Sequence, residues 1–230
     1  MRNKSTLIIL ILVILLIPIC SLAESAEEVS ISFRGIPWGS SYCDIQSILQ
    51  DGEHLGKLSS DHYCASVNGY VTGTNETPYS GEELGAFCSL IGSDGNYVPV
   101  AGYETVLSEV VFVYVPNENG LIDYNQKNTA LIQAMYSIET IVPNVVFEDL
   151  LTKLTSLYGE PVYEKRYSDS CPVWTDKDGS MVGLIAVNND HVIIRYTFKG
   201  ADALITEAHN SLVETETQKT IDVQSDTSGL

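Results

Sequence analysis

Positive charge and histidine are both scarce in this 230-residue sequence. Lysine and arginine number 12 against 30 aspartates and glutamates, which gives a formal net charge of −18, and there are four histidines. A nucleic-acid-binding protein needs a basic face to displace counterions from phosphates, so this class is disfavoured. The scattered histidines disfavour a His-rich metal site. Apolar residues make up 44% and charged residues 18%, which excludes a disordered acidic polymer and a coiled coil.

The sequence also lacks the common motifs of catalysis and phosphate binding. Gly-x-Ser-x-Gly, Ser-x-x-Lys and His-Glu-x-x-His do not occur, and neither glycine-rich phosphate loop is present. Asp176-x-Asp178-Gly179 is similar to the start of a calcium loop, but the further ligands and the closing glutamate are missing, so a hairpin turn is the better interpretation. We therefore expect no catalytic residues, no metal site, no cofactor and no enzymatic activity.

Residues 1–23 have the three parts of a secretory signal peptide. Arg2 and Lys4 are followed by eleven unbroken aliphatic residues (7–17), and Ser21-Leu22-Ala23 suits cleavage before residue 24. An uncleaved membrane anchor is the alternative, although this apolar segment is shorter than the roughly 18 residues that span a bilayer. Cleavage would remove two basic residues and no acid, leaving 10 basic against 30 acidic residues and a formal charge of −20. We expect an exported protein, secreted or associated with the cell envelope, that does not insert stably into a membrane once cleaved.

Four cysteines would remain after cleavage: Cys43, Cys64, Cys88 and Cys171. An even number in an exported chain permits two disulfides with three possible connectivities, and no Cys-x-x-Cys spacing indicates a redox or zinc motif. Cys64 and Cys88 lie in neighbouring strand-like segments and form the favoured pair. Free thiols in an anaerobic habitat are the alternative.

The apolar pattern predicts an α+β protein. A Ser41…Asp44 capping box begins a helix at about 41–50, and a second helix spans 146–158 with Gly159 as its C-cap. The predicted strands are listed here: 64–74, 84–91, 105–115, 162–167, 173–175, 181–188 and 191–198. Residues 129–140 suit either a helix or a strand, and we favour a strand because one alternating set is wholly apolar.

Two segments of the sequence are weakly similar to each other. Tyr42-x-Asp44-Ile45-x-x-x-Leu49 matches Phe147-x-Asp149-Leu150-x-x-x-Leu154, and each helix precedes a set of strands. We therefore predict one compact domain of two helix-plus-antiparallel-sheet units. The predicted division is a signal peptide (1–23), a polar lead-in (24–32), a first unit (33–140), a second unit (141–200) and an acidic tail (201–230) that is partly helical and then disordered.

Two motifs carry a resemblance to a known group of proteins. "FRGIPWGSS" (33–41) and "LYGEP" (157–161) resemble those of uncharacterised exported proteins of gut Firmicutes, over about residues 33–198. The helix-plus-sheet repeat is also similar in architecture to the β-lactamase inhibitor protein and to small outer-membrane assembly lipoproteins. These resemblances imply a fold and a compartment, and they place no interface residue on this chain.

Three hypotheses of function follow, in order of preference. The first is a non-enzymatic exported module that binds a protein or an envelope glycan, and the second is a secreted inhibitor of a hydrolase. The third is a glycan hydrolase that uses paired carboxylates. Its candidate carboxylates are Glu82, Glu83, Glu109, Glu148 and Asp149, for which ordinary roles at turns, a strand face and a helix start also suffice. The two tryptophans, Trp38 and Trp174, are expected to pack helices against the sheet.

Overall fold

The structure, a computed structural model, describes residues 30–51, 56–65, 84–166 and 169–225. The predicted signal peptide, most of the lead-in, and Glu82 and Glu83 lie outside these residues. The described helices are α1 (Tyr42–Asp51), α2 (Pro143–Tyr158) and α3 (Ala201–Ser225). The described strands are β1 (Lys57–Ala65), β2 (Gly85–Ile91), β3 (Leu107–Tyr114), β4 (Thr129–Glu139), β5 (Val162–Arg166), β6 (Asp169–Thr175), β7 (Met181–Val187) and β8 (His191–Thr197).

All eight strands form one antiparallel sheet in the order β1-β2-β3-β4-β8-β7-β6-β5. In each half of the chain a helix precedes four strands that pair in sequence order, and the last strands of the two halves, β4 and β8, pair in the middle. Because the sheet is continuous across both halves, the predicted α+β class and the single compact domain are confirmed. The sequence repeat itself remains a prediction.

The helices lie on both faces of the sheet. Ile45 and Leu49 of α1 and Leu150 and Leu154 of α2 are buried in two clusters that share Tyr196 of β8, so these helices lie on the same face. Helix α3 packs on the other face, where its buried members meet the alternate side chains of β3 and β4; these residues are Ala201, Ile205, Ala208, Val111, Val113 and Ile132. The domain therefore has three layers.

Strand β4 settles the ambiguity at residues 129–140. It pairs with β3 on one side and with β8 on the other, and every residue except Glu139 is buried. A strand covered on both faces shows little hydrophobic alternation, which is why a helix fitted the sequence almost as well. The prediction of a strand is confirmed.

The "FRGIPWGSS" segment (33–41) fastens the chain to the sheet ahead of α1. Arg34 and Gly35 both have positive φ angles, and the amide of Ile36 donates to the carbonyl of Phe33 at 2.9 Å, which makes a tight two-residue turn. The Trp38 indole donates to the carbonyl of Ile31 at 2.8 Å and stacks on the ring of Phe198. This motif is therefore explained by packing.

The predicted capping box at α1 is present and gives a stability prediction. The Asp44 amide donates to Ser41 Oγ at 3.1 Å, and the Ser41 amide donates to Asp44 Oδ2 at 3.2 Å. We expect Ser41→Ala to lower the free energy of unfolding by about 1 kcal/mol, measured by urea denaturation. Ser47→Ala, an exposed position inside the same helix, is the matched control, and equal losses in both variants would contradict the capping role.

Helices α2 and α3 differ in extent from the sequence prediction. Helix α2 begins at Pro143, three residues earlier than predicted, because proline is favoured in the first turn. Its predicted end is confirmed: Gly159 has φ +83° and its amide donates to the carbonyl of Thr155. Helix α3 spans Ala201–Ser225, so helix makes up most of the tail that was predicted to be partly helical. Among the described residues, no helix has both the length and the apolarity that crossing a membrane requires.

Candidate functional site

The cysteines do not form the predicted disulfides. Cys43, Cys88 and Cys171 take part in none, so the favoured Cys64–Cys88 bridge is absent. The strand register explains this: Cys64 lies opposite Ala86 and Cys88 lies opposite His62, so the two cysteines are diagonal neighbours. Diagonal positions are about 7–8 Å apart, more than the roughly 4 Å between Cβ atoms that a disulfide requires. Burial raises the pKa of the Cys88 thiol to about 12, which keeps it protonated and unreactive.

The tryptophans and several tyrosines have structural positions. The Trp174 indole is buried and donates to the carbonyl of Gly159 at 2.7 Å, which ties β6 to the end of α2. An Arg34 guanidinium nitrogen donates to the hydroxyl of Tyr136 at 3.0 Å, and Tyr136 lies in the buried cluster that contains Ile45 of α1. Burial raises the pKa of both Tyr136 and Tyr196. These aromatic side chains are internal, so they do not form a recognition surface.

Of the carboxylates singled out in the sequence, Asp149 is engaged in local contacts within the described residues. Asp149 accepts a hydrogen bond from the Tyr103 hydroxyl and pairs with Lys153, each at 2.7 Å, while Glu148 is exposed. Asp176 is also engaged: its Oδ1 accepts the amide of Ser180, as a hairpin turn requires, and its Oδ2 accepts the amide of the distant Ile31. No group of three or more potential metal ligands occurs in the part of the chain that the structure describes.

Glu109 is the carboxylate whose environment is most unusual. It is half-buried on β3, opposite Ser89 and Met135 in the two neighbouring strands, and burial raises its pKa from 4.5 to about 6. A pKa near 6 would suit a general acid. Neither residue directly opposite it in the neighbouring strands is a carboxylate.

The raised pKa of Glu109 gives a pH-dependence prediction. The folded chain holds this proton more tightly than the unfolded chain, so the carboxyl contributes stability below about pH 4.5 that is lost as the pH rises through about 6. We expect Glu109→Gln to gain stability relative to the wild type as the pH increases from 4 to 7, measured by urea denaturation at each pH. Glu148→Gln, an exposed carboxylate, is the control; a pH-independent difference for Glu109→Gln would contradict this assignment.

Four exposed aliphatic side chains lie at one end of the sheet, although Val162 on β5 and Val223 on α3 are exposed to a similar degree. Ile141 is 98% exposed, Val145 66%, Val142 49% and Val106 43%. Val106 immediately precedes β3, and the other three lie between the end of β4 and the first turn of α2. We call these four residues, together with Glu104, Glu139 and Asp190, the end surface.

The backbone holds the end surface in place. The Val106 amide donates to the carbonyl of Ser137 at 2.9 Å, and the Thr140 amide donates to the carbonyl of Asp190 at 2.8 Å, so the start of β3, the end of β4 and the β7–β8 turn are connected. Ile141 and Val106 line a groove of about 780 Å³ between these segments. The groove is therefore built on strand ends of the central sheet.

The groove is acidic as well as aliphatic. Glu104, Glu139 and Asp190 line it and are exposed, and none of its lining residues is lysine or arginine. His191 Nδ1 lies 2.7 Å from Asp190 Oδ1. Exposed aliphatic side chains beside carboxylates suit binding, since the apolar part gains free energy on burial and the charges select the partner. Sequence reasoning missed this site because residues 141–145 were assigned to no element.

Comparison with known proteins adds no relative. No protein-family model, no curated protein and no solved structure matches this chain. The two resemblances drawn from the sequence therefore remain proposals, and the function has to be argued from the end surface.

Proposed function

We propose that this chain is an exported, non-enzymatic binding module that docks another protein through the end surface. The observation that carries the proposal is the exposure of Ile141, Val142, Val145 and Val106 at the end of the sheet where the buried strand β4 finishes. Contiguous exposed apolar side chains rimmed by polar residues mark interaction sites. Burying an aliphatic side chain of this size contributes about 1.5–3 kcal/mol, so these residues can anchor a complex.

The test is affinity capture from the producing organism's culture medium and envelope fraction. The bait is the full chain, expressed with its own N-terminal segment, and the captured proteins are identified by mass spectrometry. We expect a saturable partner that Ile141→Ser with Val145→Ser abolishes. Val162→Ser is the matched control, because Val162 is 70% exposed but lies on the edge strand β5. Capture that is unchanged in the double variant, or lost equally in the control, would overturn the proposal.

The partner could itself be a hydrolase that the chain inhibits. This alternative uses the same end surface and rests on the architectural resemblance. It predicts that adding the purified chain to the captured enzyme lowers its turnover with a stoichiometric end point. If the captured enzyme keeps its full turnover when the chain is saturating, the chain binds the enzyme without inhibiting it, and this alternative is wrong.

A carboxylate-dependent glycan hydrolase is the second candidate, because three carboxylates line one groove. It predicts release of chromophore from aryl glycosides that Glu139→Gln or Asp190→Asn abolishes while the fold is retained. Turnover that is absent in the wild type, or unchanged in both variants, would contradict it. Binding through Ile141 without turnover would favour the first proposal.

A further inference from the structure

We propose that the partner presents a cationic segment with an aliphatic side chain at its centre, which seats in the groove beside Ile141. This inference rests on the proposed function and adds the chemistry of the partner. The aliphatic residues supply the docking surface, and the charges around them determine which occupant fits.

The lining of the groove carries net negative charge. Glu104, Glu139 and Asp190 are exposed at its wall, and lysine and arginine are absent from its lining. An anionic occupant, such as an acidic peptide or a phosphate-bearing lipid, would meet three carboxylates and no lysine or arginine in the lining. A lysine or arginine on either side of the buried side chain would meet a carboxylate instead.

Two of the groove's carboxylates belong to residues whose backbone is held in place. Glu139 is the last residue of β4 and lies opposite His191 in β8, while Asp190 precedes that histidine in the turn. The backbone of Glu139 is therefore held by strand pairing and that of Asp190 by the hydrogen bond from the Thr140 amide, so a partner does not have to order a loop to reach them. A preformed site costs less conformational entropy on binding.

The net charge of the chain affects how a partner approaches the groove before contact. The whole chain has a formal charge of −18, so a cationic partner is attracted and an anionic one repelled before contact. Long-range attraction alone would not distinguish this groove from other acidic surfaces, such as the exposed Asp202 and Glu207 on α3. The aliphatic side chains of the groove make the distinction, because the pocket that contains Asp202 and Glu207 is lined by no valine, leucine or isoleucine.

The experiment uses three blocked hexapeptides and spermine as probes of the full chain, with affinity measured by calorimetry. The peptides have the sequences KKLLKK, KKSSKK and EELLEE. We expect KKLLKK to bind, with affinity falling as salt is added, and the others to bind at least about tenfold more weakly. Spermine separates a simple polycation site from an amphipathic one: equal affinity for spermine and KKLLKK would overturn the inference.

Variants assign the binding to the groove. We expect Ile141→Ser to weaken KKLLKK by about tenfold or more, and Glu139→Gln and Asp190→Asn by about two- to fivefold each. Asp202→Asn with Glu207→Gln is the matched control on α3 and should leave the affinity unchanged. Equal losses in the groove and control variants would overturn the inference. If KKLLKK fails to bind but a natural partner is still captured through Ile141, the partner chemistry is wrong and the docking function stands; if Ile141-dependent capture also fails, the proposed function falls too.

Discussion

Replacing Trp174 by alanine is expected to lower the free energy of unfolding by about 3–5 kcal/mol, the largest loss of any substitution considered. The indole is 2% exposed and packs among Leu150, Leu154 and Val182, between α2 and the second half of the sheet. Alanine would leave a cavity there that the surrounding helix and strands can only partly fill. It would also remove the hydrogen bond to the carbonyl of Gly159 at the end of α2.

Trp174→Phe separates packing from hydrogen bonding. Phenylalanine keeps most of the buried ring and removes the donor, so it should cost less than alanine; the lost hydrogen bond accounts for about 1 kcal/mol of that cost. Both variants are measured by urea denaturation, with retention of the fold checked by circular dichroism. A loss below about 1 kcal/mol for Trp174→Ala would show that the side chain is not a core residue.

Gln133→Met is expected to raise the free energy of unfolding by about 1–3 kcal/mol. Gln133 is 0% exposed on β4, opposite Thr197, and neither its amide nitrogen nor its amide oxygen has a hydrogen-bond partner among the described residues. The buried amide has lost its hydrogen bonds to water on folding and has gained no hydrogen bond to the described part of the protein in return. Methionine has nearly the same shape and no such polar group, so the substitution removes the desolvation cost and keeps the packing.

Gln133→Ala is the comparison for this prediction. It also removes the amide but opens a cavity in a strand that is buried on both faces, so it should be less stable than Gln133→Met. Thermal denaturation of the wild type and the two variants under the same conditions gives their order of stability. A methionine variant less stable than the wild type would show that the amide is satisfied, for instance by an ordered water, and would contradict this interpretation.

Local patterns predicted most elements of the fold. Alternation identified β3, the Ser41–Asp44 pair identified the start of α1, and Gly159 identified the end of α2, because each is determined by residues close in sequence. The pairing of β4 with β8 could not be predicted, since it joins residues far apart in the chain. The length of α3 was missed because its second half is largely exposed and has little apolar periodicity to read.

The end surface could not be predicted from the sequence, because the exposure of a side chain depends on the tertiary fold. Ile141, Val142 and Val145 have the composition of core residues, and nothing in their spacing shows that the chain turns outward there. Glu109 presents the opposite case: a strand-face carboxylate that looked ordinary is half-buried, and its raised pKa depends on the strands beside it. In both cases, the exposure of a side chain or the pKa of a carboxyl is determined by neighbours that are brought together only when the chain folds.

The position of β8 in the middle of the sheet determines when the chain can finish folding. During synthesis β1 to β4 emerge first, and one edge of β4 keeps unpaired N–H and C=O groups until His191–Thr197 arrives. A chain stopped after residue 140 would expose this eleven-residue apolar strand as a template for intermolecular pairing. Folding is therefore expected to depend on the completed chain, and a half-length fragment to aggregate.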